Sequence, residues 1–164
     1  MTDLTAIAIE DARAHHTARL ELIQFTDQQA MNLLSLYVTL SIAAASGFGA
    51  SLGSALVPAA AGYALLTAAI PLLAGAACCF KVLSSADIAL PGREPAFWRW
   101  ATENDALTGA DVLKAYLGQM AETAEVNRGV NRRGTWWLST ARACGVTAPV
   151  LASSVALAAW RYGL

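Results

Sequence analysis

Charge is what this sequence has least of. Charged residues make up 14% of its 164 residues and apolar residues 56%, where an ordinary soluble domain is about a quarter charged. The formal net charge of −1 gives no bulk basic character that would point to nucleic acid or an acidic substrate. Between Asp27 and Lys81 charge is missing altogether, leaving Gln28 to Phe80 as one uncharged block of about fifty residues. A single straight helix of that size would run about 80 Å at 1.5 Å per residue. A bilayer core is only about 30 Å thick and is crossed by about 20 residues. Two helices joined by a tight turn are the economical solution. Gly47, Gly49, Ser51, Gly53, Ser54 and Pro58 are spaced as breakers between two apolar runs. Lipid offers no hydrogen-bond partner to an open strand, so the spans are expected to be helical.

Cysteine is also scarce, and its placement excludes a disulfide framework. Cys78 and Cys79 are neighbours that cannot easily bridge each other, and Cys144 stands far along the chain. All three read as small apolar packing residues, with palmitoylation of the Cys78–Cys79 pair near a membrane face as the sharper alternative. Chemistry-bearing motifs are absent as well. There is no glycine-rich phosphate loop followed by Lys-Ser or Lys-Thr, no paired-cysteine metal motif and no serine elbow. No carboxylate or histidine falls inside a span, as proton-coupled transport would usually require. His15 and His16 are adjacent, point apart and make a poor metal pair. No enzyme activity, catalytic residue or metal site is expected. No compact cleavable signal is visible, because the first apolar run begins too late.

What is present is patterned for a membrane. Residues 1–28 read as a cytoplasmic amphipathic helix, with Ile9, Ala12, His16, Leu20 and Ile23 on one face and Arg13, His15, Arg19 and Glu21 elsewhere. Span 1 is placed at 29–48 and span 2 at 57–80, with Pro71 expected to bend the latter. Both are rich in small residues, among them Ala43, Ala45, Gly47, Gly62 and Ala69, which let helices approach closely in lipid. A polar segment, 81–135, precedes span 3 at 136–160. Trp136 and Trp137 mark one interface of span 3, and Trp160 with Tyr162 the other. Arg142 lies one turn inside the first belt, as a snorkelling cation or as a pore-lining or inter-subunit charge.

Lys and Arg counts orient the chain. Arg13 and Arg19 precede span 1, and Lys81, Arg93, Arg99, Lys114, Arg128, Arg132 and Arg133 lie between spans 2 and 3. The first turn has none, and the C-terminal tail has Arg161. The positive-inside rule puts the N-terminus and the long interval in the cytoplasm and the C-terminus outside. Within that interval Pro91-Gly92 reads as a turn and Pro95 as the start of a short aromatic helix, Phe97-Trp98-Arg99-Trp100. This cluster suits an interfacial belt or docking patch; stacking on a nucleobase with Arg99 on a phosphate is the alternative. Thr108 and Asp111 resemble a capping box opening another helix, with Leu113, Tyr116, Met120 and Val130 close to one face. That helix either continues into span 3 or breaks at Gly129 and Gly134. Asn127 and Asn131 share one helical face, as do Arg128 and Arg132, with Arg133 beside them. Guanidinium groups backed by amides suit bidentate phosphate recognition; basic residues that meet lipid headgroups are the plainer reading.

The run Arg19-Leu20-Glu21-Leu22-Ile23-Gln24-Phe25-Thr26-Asp27-Gln28-Gln29-Ala30 resembles the opening of the Pycsar effector domain. Tyr116 to Trp137, with the core Asn127-Arg128, Asn131-Arg132-Arg133, resembles the closing half of the same family. SLATT-type membrane modules of bacterial conflict systems share the hairpin and the following cytoplasmic helix. Gln29 stands where members of the family often carry lysine. The resemblance implies an all-α, three-span inner-membrane effector of anti-phage defence. It would be silenced until a partner nucleotide cyclase makes a cyclic pyrimidine mononucleotide, cyclic UMP or cyclic CMP, and would then cause abortive infection by impairing the membrane. Trp98, Arg99, Asn127, Arg128, Asn131, Arg132 and Arg133 are the expected ligand contacts of a homo-oligomer. A non-toxic membrane scaffold anchoring a cytoplasmic partner is the competing expectation, and a small transporter a third.

Overall fold

The computed structural model describes residues 4–53, 58–84, 88–89, 94–104 and 106–162. Four helices follow one another: α1 (Leu4–Gly53), α2 (Ala59–Leu83), α3 (Pro95–Glu103) and α4 (Gly109–Tyr162). No strand occurs among the described residues. Three of the helices, α1, α2 and α4, are long and apolar enough to cross a membrane. The chain is all-α. Ser54, Val57 and the Pro91-Gly92 turn lie outside the described residues.

Helix ends follow the residue chemistry. Pro95 opens α3, where its missing N–H is no loss. Ahead of α4, the Thr108 hydroxyl accepts from the Asp111 N–H at 3.3 Å, and the Asp111 carboxylate accepts from the Thr108 N–H at 3.1 Å. The same carboxylate accepts from the Thr108 hydroxyl at 2.6 Å. This reciprocal cap satisfies donors that the first turn of a helix leaves open. At the other end of α2, the Ser84 hydroxyl donates to the Lys81 carbonyl at 2.8 Å.

The break between the first two spans falls at the far end of the Gly47–Pro58 stretch, and α4 takes the continuous of its two expected courses. α1 passes through Gly47, Gly49 and Ser51 and ends at Gly53, and α4 passes through Gly129 and Gly134 without interruption. An interior glycine costs a helix only about 1 kcal/mol, which the neighbouring hydrogen bonds easily absorb. Some of these glycines serve packing instead. A Cβ on Gly47 would lie 2.6 Å from the Leu65 side chain, and one on Gly62 would collide with the Ser51 side chain.

The chain divides into two compact units. The first comprises Met1–Phe25 and Ser85–Arg132, the second Thr26–Ser84 and Arg133–Leu164. In the second unit α1, α2 and α4 meet in a core of Ala30, Tyr37, Leu72, Ala76, Cys79, Leu138, Ala141 and Ala148. Tyr37 is its centrepiece. Its hydroxyl donates to the Ala141 carbonyl at 2.9 Å. Its ring occupies the space that side chains at Gly75 and Gly145 would need; a Cβ on Gly75 would stand 2.8 Å from the ring. The three cysteines are unbridged. Trp136, Trp160 and Tyr162 are exposed at the two ends of the span-3 stretch of α4.

In the first unit α1 buries His16 and Ile23, with Ile9, Ala12 and Leu20 partly covered, while Arg13, His15 and Glu21 are exposed. From α4 come Tyr116 and Asn127, both buried. Polar bonds tie these pieces together: the Arg13 Nε donates to the Tyr116 hydroxyl at 3.1 Å, and its guanidinium carbon lies 5.5 Å from the ring centre.

Candidate functional site

The first unit contains a cleft of about 200 Å³ between α1 and α4. His15, Ala18, Arg19 and Leu22 line it from α1, at spacings of three and four residues that put them on one helical face. Asn127, Arg128 and Asn131 line it from α4 by the same periodicity. Two arginines, an imidazole and two amides border one space whose accessible surface is mostly apolar, and no carboxylate among the described residues lines it. Leu22 and Ala18 supply an apolar wall.

Several of these groups are held in place. Arg19 donates from one terminal nitrogen to the Ala124 carbonyl at 2.7 Å, which braces the guanidinium against α4. Asn127 is fully buried. Its amide donates to the Ala89 carbonyl and accepts from the Ala89 N–H, both at 3.0 Å. The side chain thus does for Ala89 what a neighbouring strand would do, satisfying both main-chain groups of a residue outside any helix. Arg128 pairs with Glu125 at 2.6 Å, but both side chains are mostly exposed. Such an exposed pair is worth only about 0–1 kcal/mol, so it is readily exchanged for a better anion. Arg128 keeps further guanidinium donors beyond this pair.

The expected site residues separate in space. Asn127, Arg128 and Asn131 come together at the cleft, whereas Arg132 and Arg133 are exposed and do not line it. Trp98 and Arg99 lie on exposed positions of α3. Trp98 packs at 5.3 Å from Phe97 and 6.3 Å from Tyr116, ring centre to ring centre, as part of an aromatic cluster rather than of the cleft. Arg142 belongs to the second unit, where it donates to the Gln29 side-chain oxygen. Arg19 and His15 escaped the sequence reading as contacts. The signal was present in their spacing with Ala18 and Leu22, but a face beside the buried one reads as merely solvated until α4 is known to lie next to it.

A volume of about 200 Å³ is below the roughly 300 Å³ at which pockets for drug-sized ligands begin. It suits a small anion, or the phosphate end of a larger molecule whose remainder stays in the open mouth. Charge-assisted bonds from a guanidinium to a phosphate oxygen are about twice as strong as neutral ones. The arrangement can therefore hold an anion; it offers no nucleophile paired with a base. Comparison with known proteins brings no further identification: no protein family, curated protein or solved structure matches this chain.

Proposed function

We propose that the protein is a membrane effector of a cyclic-nucleotide-based anti-phage system, related to the Pycsar effectors. It sits in the inner membrane as a homo-oligomer, with its N-terminus and the first unit in the cytoplasm and its C-terminus outside. A partner cyclase supplies cyclic UMP or cyclic CMP, and the chain responds by impairing the membrane and aborting infection. It needs no nucleic acid. The observation that carries this reading is the pairing of a lipid-type helical unit with a separate polar unit holding a cation-lined cleft. Arg19, Arg128 and His15 receive the cyclic phosphate, and Asn131 and Leu22 the rest of the nucleotide. The ligand acts by binding the activated arrangement better than the resting one, since equal affinity would shift nothing.

Two measurements test it. Co-expression with a pyrimidine cyclase should collapse the signal of a membrane-potential dye, while co-expression with an inactive cyclase should not. Calorimetry of the purified protein should show heat with cyclic UMP or cyclic CMP that disappears in the double variant Arg19→Ala, Arg128→Ala. Heat undiminished by that variant rejects the cleft. A second reading, a non-toxic scaffold that docks a cytoplasmic protein, is favoured by the exposed Trp98 and Trp100; it predicts an unchanged membrane potential with either cyclase.

A further inference from the structure

Arg142 is a cation within a membrane-length apolar stretch of α4, and the direction in which it reaches is informative. One end of the second unit is marked by Gly134, where a Cβ would stand 3.6 Å from Thr26 and 3.8 Å from Val82. Further along, the Tyr37 hydroxyl meets the Ala141 carbonyl. These two contacts put Arg142 level with the part of α1 between Leu34 and Val38. The guanidinium nevertheless donates to the Gln29 side-chain oxygen. Gln29 lies about five or more residues, roughly 7 Å at 1.5 Å per residue, nearer the Thr26 end. The side chain therefore runs back toward the end of the unit that carries Lys81, Trp136 and Trp137. A long basic side chain takes this course to bring its charge out of hydrocarbon to the headgroup level.

At that level the guanidinium meets a neutral amide instead of an anion. Among the described residues the only ion pair is Arg128 with Glu125. Asp27, the nearest acid along α1, stands about 160° round the helix from Gln29. Arg142 is exposed, and a guanidinium has five N–H donors, of which Gln29 occupies one edge. Beyond this polar head the surface turns apolar. Leu36 and Leu40 follow Gln29 along α1 within about 20° of its direction, and Val146 follows Arg142 by about one turn of α4. All three are exposed. A cation with an apolar strip leading from it toward the middle of the span matches a phospholipid, phosphate first and hydrocarbon after.

We propose that Arg142, positioned by Gln29, holds the phosphate of an anionic phospholipid whose acyl chain lies along Leu36, Leu40 and Val146. A guanidinium binds phosphate through parallel charge-assisted hydrogen bonds, and its planar fork suits two phosphate oxygens at once. Basic sites at the ends of membrane helices take lipid headgroups in this way. With no carboxylate paired to Arg142, an ammonium headgroup finds no counter-charge here, so an anionic lipid is held better than a zwitterionic one. Gln29 acts through Arg142 by bonding one edge of the guanidinium and leaving the other edge for the lipid. This rests on the membrane reading above but not on the nucleotide or the defence role.

Lipid titration of the purified full chain in detergent micelles, read by thermal unfolding, tests it. Phosphatidylglycerol should raise the thermal midpoint saturably, and phosphatidylcholine should need several-fold more lipid for the same rise. Inorganic phosphate should raise nothing. Arg142→Gln should increase the half-saturating phosphatidylglycerol several-fold, whereas Lys81→Gln, at the same end of the unit, should leave it unchanged. No response to phosphatidylglycerol, an equal response to phosphatidylcholine or to phosphate, or an unchanged half-saturation in Arg142→Gln overturns the proposal. An equal loss in Lys81→Gln also overturns it, because that is the diffuse attraction of a basic surface. Gln29→Glu gives the guanidinium a carboxylate of its own and keeps the proposal testable if Arg142→Gln does not accumulate. This variant should lose the phosphatidylglycerol response while its lipid-free midpoint stays level or rises; a retained response overturns the proposal. Alkaline extraction of native membranes reports separately whether the chain is integral, so a failed membrane reading is told apart from a wrong site.

Discussion

The two units of this chain solve opposite burial problems with the same helices. The second unit is built inside out relative to a soluble domain. Its core is made mostly of small side chains, Ala30, Ala76, Cys79, Ala141 and Ala148, beside Leu72, Leu138 and Tyr37, while Ile70, Leu73, Phe80, Val146 and Leu157 face outward. Packing there depends on close approach, because lipid tails offer apolar side chains no less than a core does. The first unit follows the rules of water. It keeps Glu10, Asp11, Glu122 and Glu125 exposed, pins the buried Asn127 to Ala89 and braces the half-buried Arg19 against Ala124, while the buried His16 ring has no hydrogen-bond partner among the described residues. The contrast teaches that a single helix, α1 or α4, can change its outer solvent along its length simply by changing what its exposed positions carry.

Substitutions at matched positions should break that comparison in predictable ways, and the largest effect is expected at Tyr37. Tyr37→Ala opens a void between Gly75 and Gly145 and removes the bond to Ala141; a loss of about 3–5 kcal/mol follows from large-to-small core changes. It is read as a lowered thermal midpoint in detergent, and an unchanged midpoint would remove Tyr37 from the centre of the second unit. Next comes a pair of arginines at exposed sites. Leu73→Arg should cost about 2.5–3.5 kcal/mol if the residue meets the bilayer centre, seen as reduced membrane insertion. Glu122→Arg in the first unit should insert normally, and equal behaviour of the two would erase the distinction between solvents.

Within the first unit, Asn127→Ala leaves the N–H and C=O of Ala89 unpaired. The penalty is about 1–3 kcal/mol for each group that water does not reach, and hydrogen exchange at the Ala89 amide should accelerate while exchange in the second-unit core is unchanged. The smallest effect concerns the cap of α4. Hydrogen bonds from the Thr108 hydroxyl and then from its backbone N–H hold the Asp111 carboxyl below its usual pKa. A depressed carboxylate contributes stability that is complete above the unfolded value near 4 and is lost as pH falls through the lower folded value. Acidification through that window should fray the first turn of α4, and Asp111→Asn should remove this pH dependence, as followed by exchange at the Asp111 and Val112 amides.

Much of this was legible in the residues themselves. The charge-free block, the tryptophan-flanked C-terminal run and the Thr108–Asp111 cap each announce a helix through local chemistry. Not every glycine in the expected turn stretch breaks the helix, because a breaker signal is a statement about isolated helices. Gly47 is tolerated in α1 since its missing side chain makes room for Leu65, a residue on another helix. The site was half visible for the same kind of reason. Asn127, Arg128 and Asn131 stand out as a motif, but Arg19 and His15 gain their meaning only from what lies across from them.

Taken by itself, the order of residues determined the helical class, the number of membrane-length apolar segments and the side of each helix able to be buried. Those properties depend on hydrogen bonding and hydrophobicity summed along one stretch of chain. Tertiary structure decided that Tyr37 would fill the gap between two glycines, and that Asn127 would brace Ala89 while Arg132 stayed outside. Such outcomes require surfaces from distant parts of the chain to meet, and periodicity within one helix carries no information about which surface it will meet.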